Sequence, residues 1–192
     1  MIYKNKTFVK NELRGEHFSD CEFLDCLFSN SDFKFTFFTR CKFHKCDLSS
    51  IQCNNTNFSE CIFPESKLSN LNFFSLRFEK CDFAGAVMKD CIFKQSSSKI
   101  NSSKKKFLLS SCNFSDTDLA GSIFDFCNLS GVDFRNSKLE KVTFEKCDLQ
   151  KADFSNAFIS GASFIDCKIE NTILDLQGFI NFGNSKGFVL SG

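Results

Sequence analysis

The chain has 192 residues and a formal net charge of +1 at pH 7, and it contains 28 Phe, 12 Cys, one Pro and no Trp. A chain of this length is ordinarily one domain. No segment approaches the ~18 consecutive apolar residues of a membrane span, and no signal peptide is visible, so we expect a soluble cytoplasmic protein with no membrane contact.

A five-residue pattern begins at the first residues of the chain. Apolar centres recur at Tyr3, Phe8, Leu13, Phe18, Phe23, Phe28, Phe33, Phe38, Phe43, Leu48, Cys53, Phe58, Phe63, Leu68, Phe73, Phe78, Phe83, Met88 and Phe93. A smaller residue, often Cys, Ser, Thr or Ala, lies two positions before most centres. A period of five matches neither a helix nor a strand, and it predicts short units that bury their inward residues by stacking into a solenoid.

The cysteines follow this pattern. Eleven of the twelve occupy the small inward position, and Cys53 occupies a centre. A metal site would need closely spaced thiolates that converge, whereas the nearest pairs here are five residues apart. Disulfides are disfavoured because residues twenty apart, such as Cys21 and Cys41, would project in parallel. We interpret the cysteines as reduced core residues, and we expect neither a metal nor a cofactor.

The register breaks at about residues 94–108, and it resumes one residue out of frame. The centres are then Phe114, Leu119, Phe124, Leu129, Phe134, Leu139, Phe144, Leu149, Phe154, Ile159, Phe164, Ile169 and Leu174. The break is rich in serine and predicts a projecting loop. Its lysines are predicted to bind a partner unless the insertion is merely tolerated, and they are Lys94, Lys99, Lys104, Lys105 and Lys106.

Charged residues are distributed unevenly along the chain. Residues 1–93 carry twelve acidic and twelve basic side chains, whereas residues 107–175 carry eleven acidic and six basic ones, a net charge of −5. The predicted acidic surface comprises Asp116, Asp118, Asp125, Asp133, Glu140, Glu145, Asp148 and Asp153. Such asymmetry is more informative about partners than the net charge of the whole chain.

The five-residue pattern ends at Leu174, so residues 1–174 are predicted as the solenoid and 175–192 as a separate C-terminal module. Asp175 is a candidate N-cap and Gly187 a candidate C-cap for a short helix. An open solenoid end requires a cap or a partner. The predicted dimer interface consists of Leu176, Phe179, Ile180, Phe182, Phe188, Val189 and Leu190.

Several units share one composition: a small residue, Asp or Asn, then Leu or Phe, then two mostly polar or small residues. Examples are Cys81–Gly85 (Cys-Asp-Phe-Ala-Gly), Thr117–Gly121 (Thr-Asp-Leu-Ala-Gly) and Ala152–Asn156 (Ala-Asp-Phe-Ser-Asn). This pattern resembles the pentapeptide-repeat family over residues 1–93 and about 109–174. The resemblance implies an all-β, right-handed quadrilateral β-helix of about eight coils, with four units per coil.

The long solenoid, midway loop and apolar C-terminus are similar to those of the Qnr and MfpA proteins and of microcin immunity proteins. That resemblance implies a DNA-mimicking homodimer that binds DNA gyrase or topoisomerase IV and protects it from quinolones or a toxin, without binding nucleic acid directly. A structural or scaffolding role and secretion as an effector are the alternatives. No catalytic motif is apparent, so we do not expect an enzyme.

Overall fold

The computed structural model describes residues 1–49, 51–74, 76–95 and 105–191. Within these residues, no helix has the length and apolar character needed to cross a bilayer. The elements are β1 (Ile2–Lys4), β2 (His17–Ser19), β3 (Glu22–Leu24), β4 (Phe37–Thr39), β5 (Lys42–His44), β6 (Asn57–Ser59), β7 (Asn72–Phe74), β8 (Arg77–Glu79), β9 (Ile92–Lys94), β10 (Phe107–Leu108), β11 (Ile123–Asp125), β12 (Cys127–Asn128), β13 (Thr143–Glu145), β14 (Ser163–Ile165) and the helix α1 (Leu176–Ser185).

All strand pairs are parallel, and most join residues twenty positions apart. Phe23 of β3 is opposite Phe43 of β5, and Phe38 of β4 is opposite Phe58 of β6. One coil therefore contains four five-residue units. The predicted all-β, right-handed quadrilateral β-helix of about eight coils is confirmed, as is its short C-terminal helix.

The corners of the coil explain the five-residue period. The second residue after a centre adopts a left-handed conformation, for example Asp25 with φ 52° and Asn136 with φ 59°. This conformation favours Gly, Asn and Asp, which accounts for their frequency at these positions. The chain turns at each such corner, so every fifth residue begins a new side.

We number the four sides by the centres that they bury. Side 1 carries Phe23, Phe43 and Phe63; side 2 carries Phe28, Leu48 and Leu68; side 3 carries Phe33, Cys53 and Phe73; side 4 carries Phe38, Phe58 and Phe78. Rings stack along a side, with 5.0 Å between the centroids of Phe43 and Phe63. Rings on neighbouring sides meet edge to face, as Phe38 and Phe43 do at 5.3 Å. Both geometries are favourable for aromatic pairs.

The small inward residues donate hydrogen bonds to backbone carbonyls. Ser66 Oγ donates to the oxygen of Phe43 at 2.8 Å, Thr56 Oγ1 to that of Phe33 at 2.7 Å, and Cys61 Sγ to that of Phe38 at 3.4 Å. Cys, Ser and Thr are interchangeable here because each is small and carries one donor. All twelve cysteines are free, and only Cys167 is not fully buried.

Several buried positions depart from the large–small rule, and two cases are informative. At Ile51 and Cys53 the two classes are exchanged, with both residues buried, so the larger side chain occupies the small site and the volume is conserved. Phe107 occupies another small site, pairs with Cys127 and is 1% exposed. It holds the chain inside the coil where the pattern resumes.

The inserted residues lie between β9 and β10. Phe93 of β9 is opposite Phe124 of β11, a separation of 31 residues instead of twenty, so eleven extra residues enter one coil. The pattern then continues one residue out of frame, as the sequence indicates. The predicted projecting loop lies largely outside the described residues.

Candidate functional site

Helix α1 covers the C-terminal end of the solenoid. The ring of Phe182 meets that of Phe164 edge to face at 5.3 Å, which places one side of the helix against the last buried centres. At the helix end, Gly187 has φ 86°, and the N–H groups of Gly187 and Phe188 donate to the carbonyls of Asn184 and Gly183. This is the Schellman arrangement. It turns the tail back along the helix.

The predicted dimer-interface residues divide into two groups. Phe182 and Ile180 are half-buried, whereas the other five are exposed: Leu176 78%, Phe179 67%, Phe188 73%, Val189 91% and Leu190 72%. We call these five residues the apolar end patch. Phe182 contributes to the core of the monomer, and the role of the patch in pairing stays a prediction.

A groove of about 370 Å³ lies between α1 and the tail, with Phe179, Phe188 and Leu190 in its walls. Exposed apolar side chains also ring the last coil at Phe158, Ile165, Ile169 and Ile173. Clustering of this kind, as opposed to single exposed residues, is typical of an interaction surface.

The predicted acidic residues are distributed over all four sides. Asp133 and Asp153 are adjacent rungs of side 1, and Asp118 lies on side 2. Asp125 and Glu145 lie on side 3, and Asp148 lies on side 4. The structure therefore does not gather them into one face.

Four of these carboxylates also support the coil. The Oδ1 atoms of Asp118, Asp133, Asp148 and Asp153 accept hydrogen bonds from the backbone N–H two residues ahead, at 3.3, 2.9, 3.3 and 2.9 Å. Such an Asx turn needs a side-chain oxygen but not a charge. Asn128 makes the same bond at 3.1 Å. Sequence reasoning interpreted these residues only as surface charge, although Asp and Asn alternate at this position.

Neighbouring cations offset much of the acidic charge. Lys89 lies 3.1 Å from Asp118, Lys106 lies 3.8 Å from Asp148, and Lys94 pairs with Asp125. Lys146 pairs with Glu145, and Arg135 Nη2 lies 2.6 Å from Asp133 Oδ2. Hydrogen bonding from Arg135 lowers the pKa of Asp133. Among the described residues, five of the eight predicted carboxylates thus have a cationic neighbour.

The predicted loop lysines are not one group. Lys94 ends β9 and pairs with Asp125, so it belongs to the coil and not to a loop. Lys106 is half-buried, with its ammonium 5.8 Å from the ring centroid of Phe126. Lys105 is exposed, and Lys99 and Lys104 lie outside the described residues. The sequence does not reveal these pairings, because they join residues 31 to 42 positions apart.

The geometry defines a class of protein: a parallel β-solenoid of stacked five-residue units. Within the described residues, no three potential metal ligands converge. Two family models match the sequence, one for pentapeptide repeats (eight copies) over residues 13–49 and 51–90, and one for a pentapeptide repeat region over residues 105–174. The chain belongs to the pentapeptide-repeat family.

Solved structures share the fold. A trypsin-treated form of QnrB1, described as a plasmid-mediated fluoroquinolone resistance protein, is 16% identical with a TM-score of 0.52, and the match covers 100% of this chain and 99% of that one. HetL from Nostoc sp. strain PCC 7120, described as involved in heterocyst differentiation regulation, is 16% identical with a TM-score of 0.42 and coverage of 91% and 89%. Among curated protein sequences, none matches this chain.

Proposed function

We propose that the protein is a non-enzymatic, cytoplasmic rod that pairs end to end with a second copy and occupies the DNA-binding surface of DNA gyrase or topoisomerase IV. By doing so it protects the enzyme from quinolones or from a toxin. The observation that carries this proposal is the apolar end patch on a rod whose second half has a net charge of −5. The twelve free thiols support a reducing compartment.

Pairing through the apolar end patch explains why the helix leaves so much apolar surface outside. Phe182 packs against Phe164, whereas Phe179 and Val189 remain 67% and 91% exposed. A cap for one rod would not need those side chains. Two copies related by a twofold axis would bury the same patch on each and remove that surface from water.

In such a pair, the acidic halves of both rods flank the junction. Carboxylates placed at intervals along a rod attract a basic surface, and they act mainly on the association rate and on the choice of partner. QnrB1, which shares the fold along its whole length, is described as a fluoroquinolone resistance protein. That description supports a topoisomerase as the partner.

A scaffolding role without topoisomerase contact is the second candidate. The ion pairs favour it, because Asp118, Asp125, Asp133, Glu145 and Asp148 each have a cationic neighbour. These pairs, in which the carboxylates are half-buried, reduce the field that a partner would experience. They leave Asp116, Glu140 and Asp153 as the carboxylates of the predicted surface without such a pair in the described residues.

Gyrase supercoiling assays with and without ciprofloxacin would test the proposal. The informative variant is the double substitution Phe179→Ser and Val189→Ser, and Leu108→Ser is its matched control because Leu108 is 65% exposed away from the patch. We expect the wild type and the control to be dimeric and to rescue supercoiling, and the double variant to do neither. A dimer that never rescues supercoiling would favour the scaffold, and a monomeric wild type would overturn pairing.

A further inference from the structure

The corners of the solenoid follow one hydrogen-bonding rule. At the corners that end side 1, the backbone N–H donates to a carbonyl in the next coil: Asp116 to Arg135 at 2.9 Å and Asn136 to Ser155 at 3.1 Å. By this rule, the N–H of Asn156 would donate to the carbonyl of Asp175. It donates instead to the side-chain Oδ2 of Asp175, at 2.7 Å.

Asp175 uses its other acceptors to begin the helix. Its carbonyl accepts from the N–H of Phe179 at 2.9 Å, and its Oδ1 accepts from the N–H of Gly178 at 2.7 Å. One residue therefore ends the solenoid and starts α1. The carboxylate takes the place of the carbonyl that the next rung would have supplied, so the N–H of the last corner that ends side 1 is satisfied.

Gly178 makes this close approach possible. A Cβ atom on Gly178 would lie 3.2 Å from Asp175 Oδ1 and 3.2 Å from Leu174 Cδ2. These distances are shorter than ordinary contacts, so a Cβ at this position would require the side chains of Asp175 and Leu174 to shift by a few tenths of an ångström.

The second attachment of the helix is at its other end. Phe182 packs on Phe164, and the ammonium of Lys186 donates to the carbonyl of Phe164. Asn156 lies at the corner after side 1, and Phe164 is a centre of side 3. Anchors on opposite sides of the coil determine the direction of α1 across its end.

We propose that Asp175 is the positioning residue of the self-association surface: its carboxylate, by replacing the carbonyl of a missing rung, holds α1 so that the apolar end patch meets a second copy in one orientation. The pairing part of this inference rests on the proposed function. The tether between Asp175 and Asn156 does not, so the two are separable by experiment.

The test uses Asp175→Asn, which retains one acceptor. Asn is a good N-cap, so the helix is retained. Gly178 and Asn156 donate to different oxygens of the Asp175 carboxylate, and an amide has an NH2 group in place of one of them, so the hydrogen bond to Asn156 is lost. The matched control is Asp166→Asn, which removes the same charge from an exposed corner of the last coil. Hydrogen exchange of the Asn156 amide, far-UV circular dichroism and sedimentation equilibrium are measured for the wild type and both variants.

We expect Asp175→Asn to raise the exchange rate of the Asn156 amide by about ten- to a hundredfold, because the amide loses its hydrogen bond to a charged group. Its dimer dissociation constant should rise by a similar factor while the helical signal is unchanged. The control should match the wild type in all three measurements.

Each other outcome is decisive. If Asp175→Asn leaves both exchange and dimerisation unchanged, the positioning role is overturned. Weaker pairing with a protected Asn156 amide would show that Asp175 acts as an interface charge, which also overturns it. A wild type that is monomeric at tens of micromolar removes pairing, yet a faster Asn156 exchange in the variant would still establish the tether.

Discussion

The rings of Phe93 and Phe124 are parallel, with 1° between their planes and 4.4 Å between their centroids. The two residues lie 31 positions apart, so the eleven additional residues leave the aromatic column of side 3 unbroken. Lys94 and Asp125, the next residues along each strand, are also paired. The insertion therefore changes the length of one coil without disturbing the coils on either side.

The spacing predicts which deletion the rod tolerates. Removing residues 95–105 returns the coil to twenty residues and brings Lys106 to the corner before Phe107. We expect the shortened protein to keep its melting temperature to within a few degrees, since closing a shorter loop costs little. Differential scanning calorimetry would measure this directly.

Removing one residue more, 95–106, is the control for that deletion. It leaves nineteen residues in the coil, so Phe107 can no longer reach its buried site without straining the backbone. Its melting temperature should fall well below that of the first deletion. Equal stability of the two proteins would contradict the eleven-residue count.

The aromatic column should dominate stability. Phe134 is fully buried between Phe114 and Phe154, at centroid distances of 5.5 and 4.9 Å. Phe134→Ala loses transfer free energy and leaves a cavity, a cost of roughly 3–5 kcal/mol, or roughly 10 °C in melting temperature for a chain of this size. Phe37→Ala, at a 39% exposed position, should cost far less. Similar losses at both sites would refute the assigned register.

Two glycines at corners separate backbone strain from side-chain collision. A Cβ on Gly121 would lie 2.3 Å from Asp90 Oδ1, whereas one on Gly131 would meet nothing within 4 Å, and both residues have positive φ. Gly131→Ala should cost about 1–2 kcal/mol from the left-handed conformation alone. Gly121→Ala should cost slightly more in urea denaturation, because the exposed side chain of Asp90 must also turn aside. Adding Asp90→Ala to Gly121→Ala should reduce the loss in free energy of unfolding to that of Gly131→Ala. If the loss stays larger, Asp90 is not the obstacle.

At Asp133, Asp148 and Asp153, a substitution can remove the negative charge and keep the hydrogen bond that the side chain accepts from the backbone. Replacing all three by Asn preserves the oxygen that accepts the backbone N–H but removes three negative charges. We expect an unchanged melting temperature together with weaker gyrase binding and a smaller dependence on salt, since salt screens exposed charges. Replacement by Ala should also destabilise the coils. Salt-independent binding by the wild type would argue against electrostatic recognition.

The buried thiols should make the protein sensitive to alkali. Burial raises the pKa of Cys46 and of Cys91 to about 12, against ~8.5 in an unfolded chain. Folding therefore favours the protonated thiol, and this stabilisation is complete below pH ~8.5 and is lost as the pH rises towards 12. Each thiol contributes up to ~1.4 kcal/mol per pH unit.

Thermal denaturation between pH 8 and pH 11 would show this loss. The control is Cys46→Ser with Cys91→Ser, because Ser66 and Ser122 already occupy the equivalent positions in adjacent coils. The double variant should have a shallower pH dependence. An identical slope would mean that other groups control alkaline unfolding.

The five-residue period predicts most of the fold, because the inward residues and the corner residues recur within each short unit of the sequence. It could not determine the size of the insertion, since shifts of one and of eleven residues are identical in a period of five. The sequence predicts Lys94 and Lys106 in a loop, because their partners Asp125 and Asp148 are too distant along the chain for the pairing to be apparent. The sequence also does not reveal the dual role of Asp175. The hydrogen bond that its side chain accepts from Gly178 is local, whereas the one that it accepts from Asn156 joins residues nineteen positions apart.

Because Phe93 stacks directly on Phe124, the insertion does not alter the regular spacing of the coils along the rod. From Phe124 the column continues through Phe144 to Phe164 and then to the ring of Phe182 on α1. Each rung adds ~4.8 Å, the spacing of neighbouring strands. The distance from the insertion to the last coil, which α1 covers, is thus a whole number of rungs, and adding or removing one coil would change it in equal steps without altering either end.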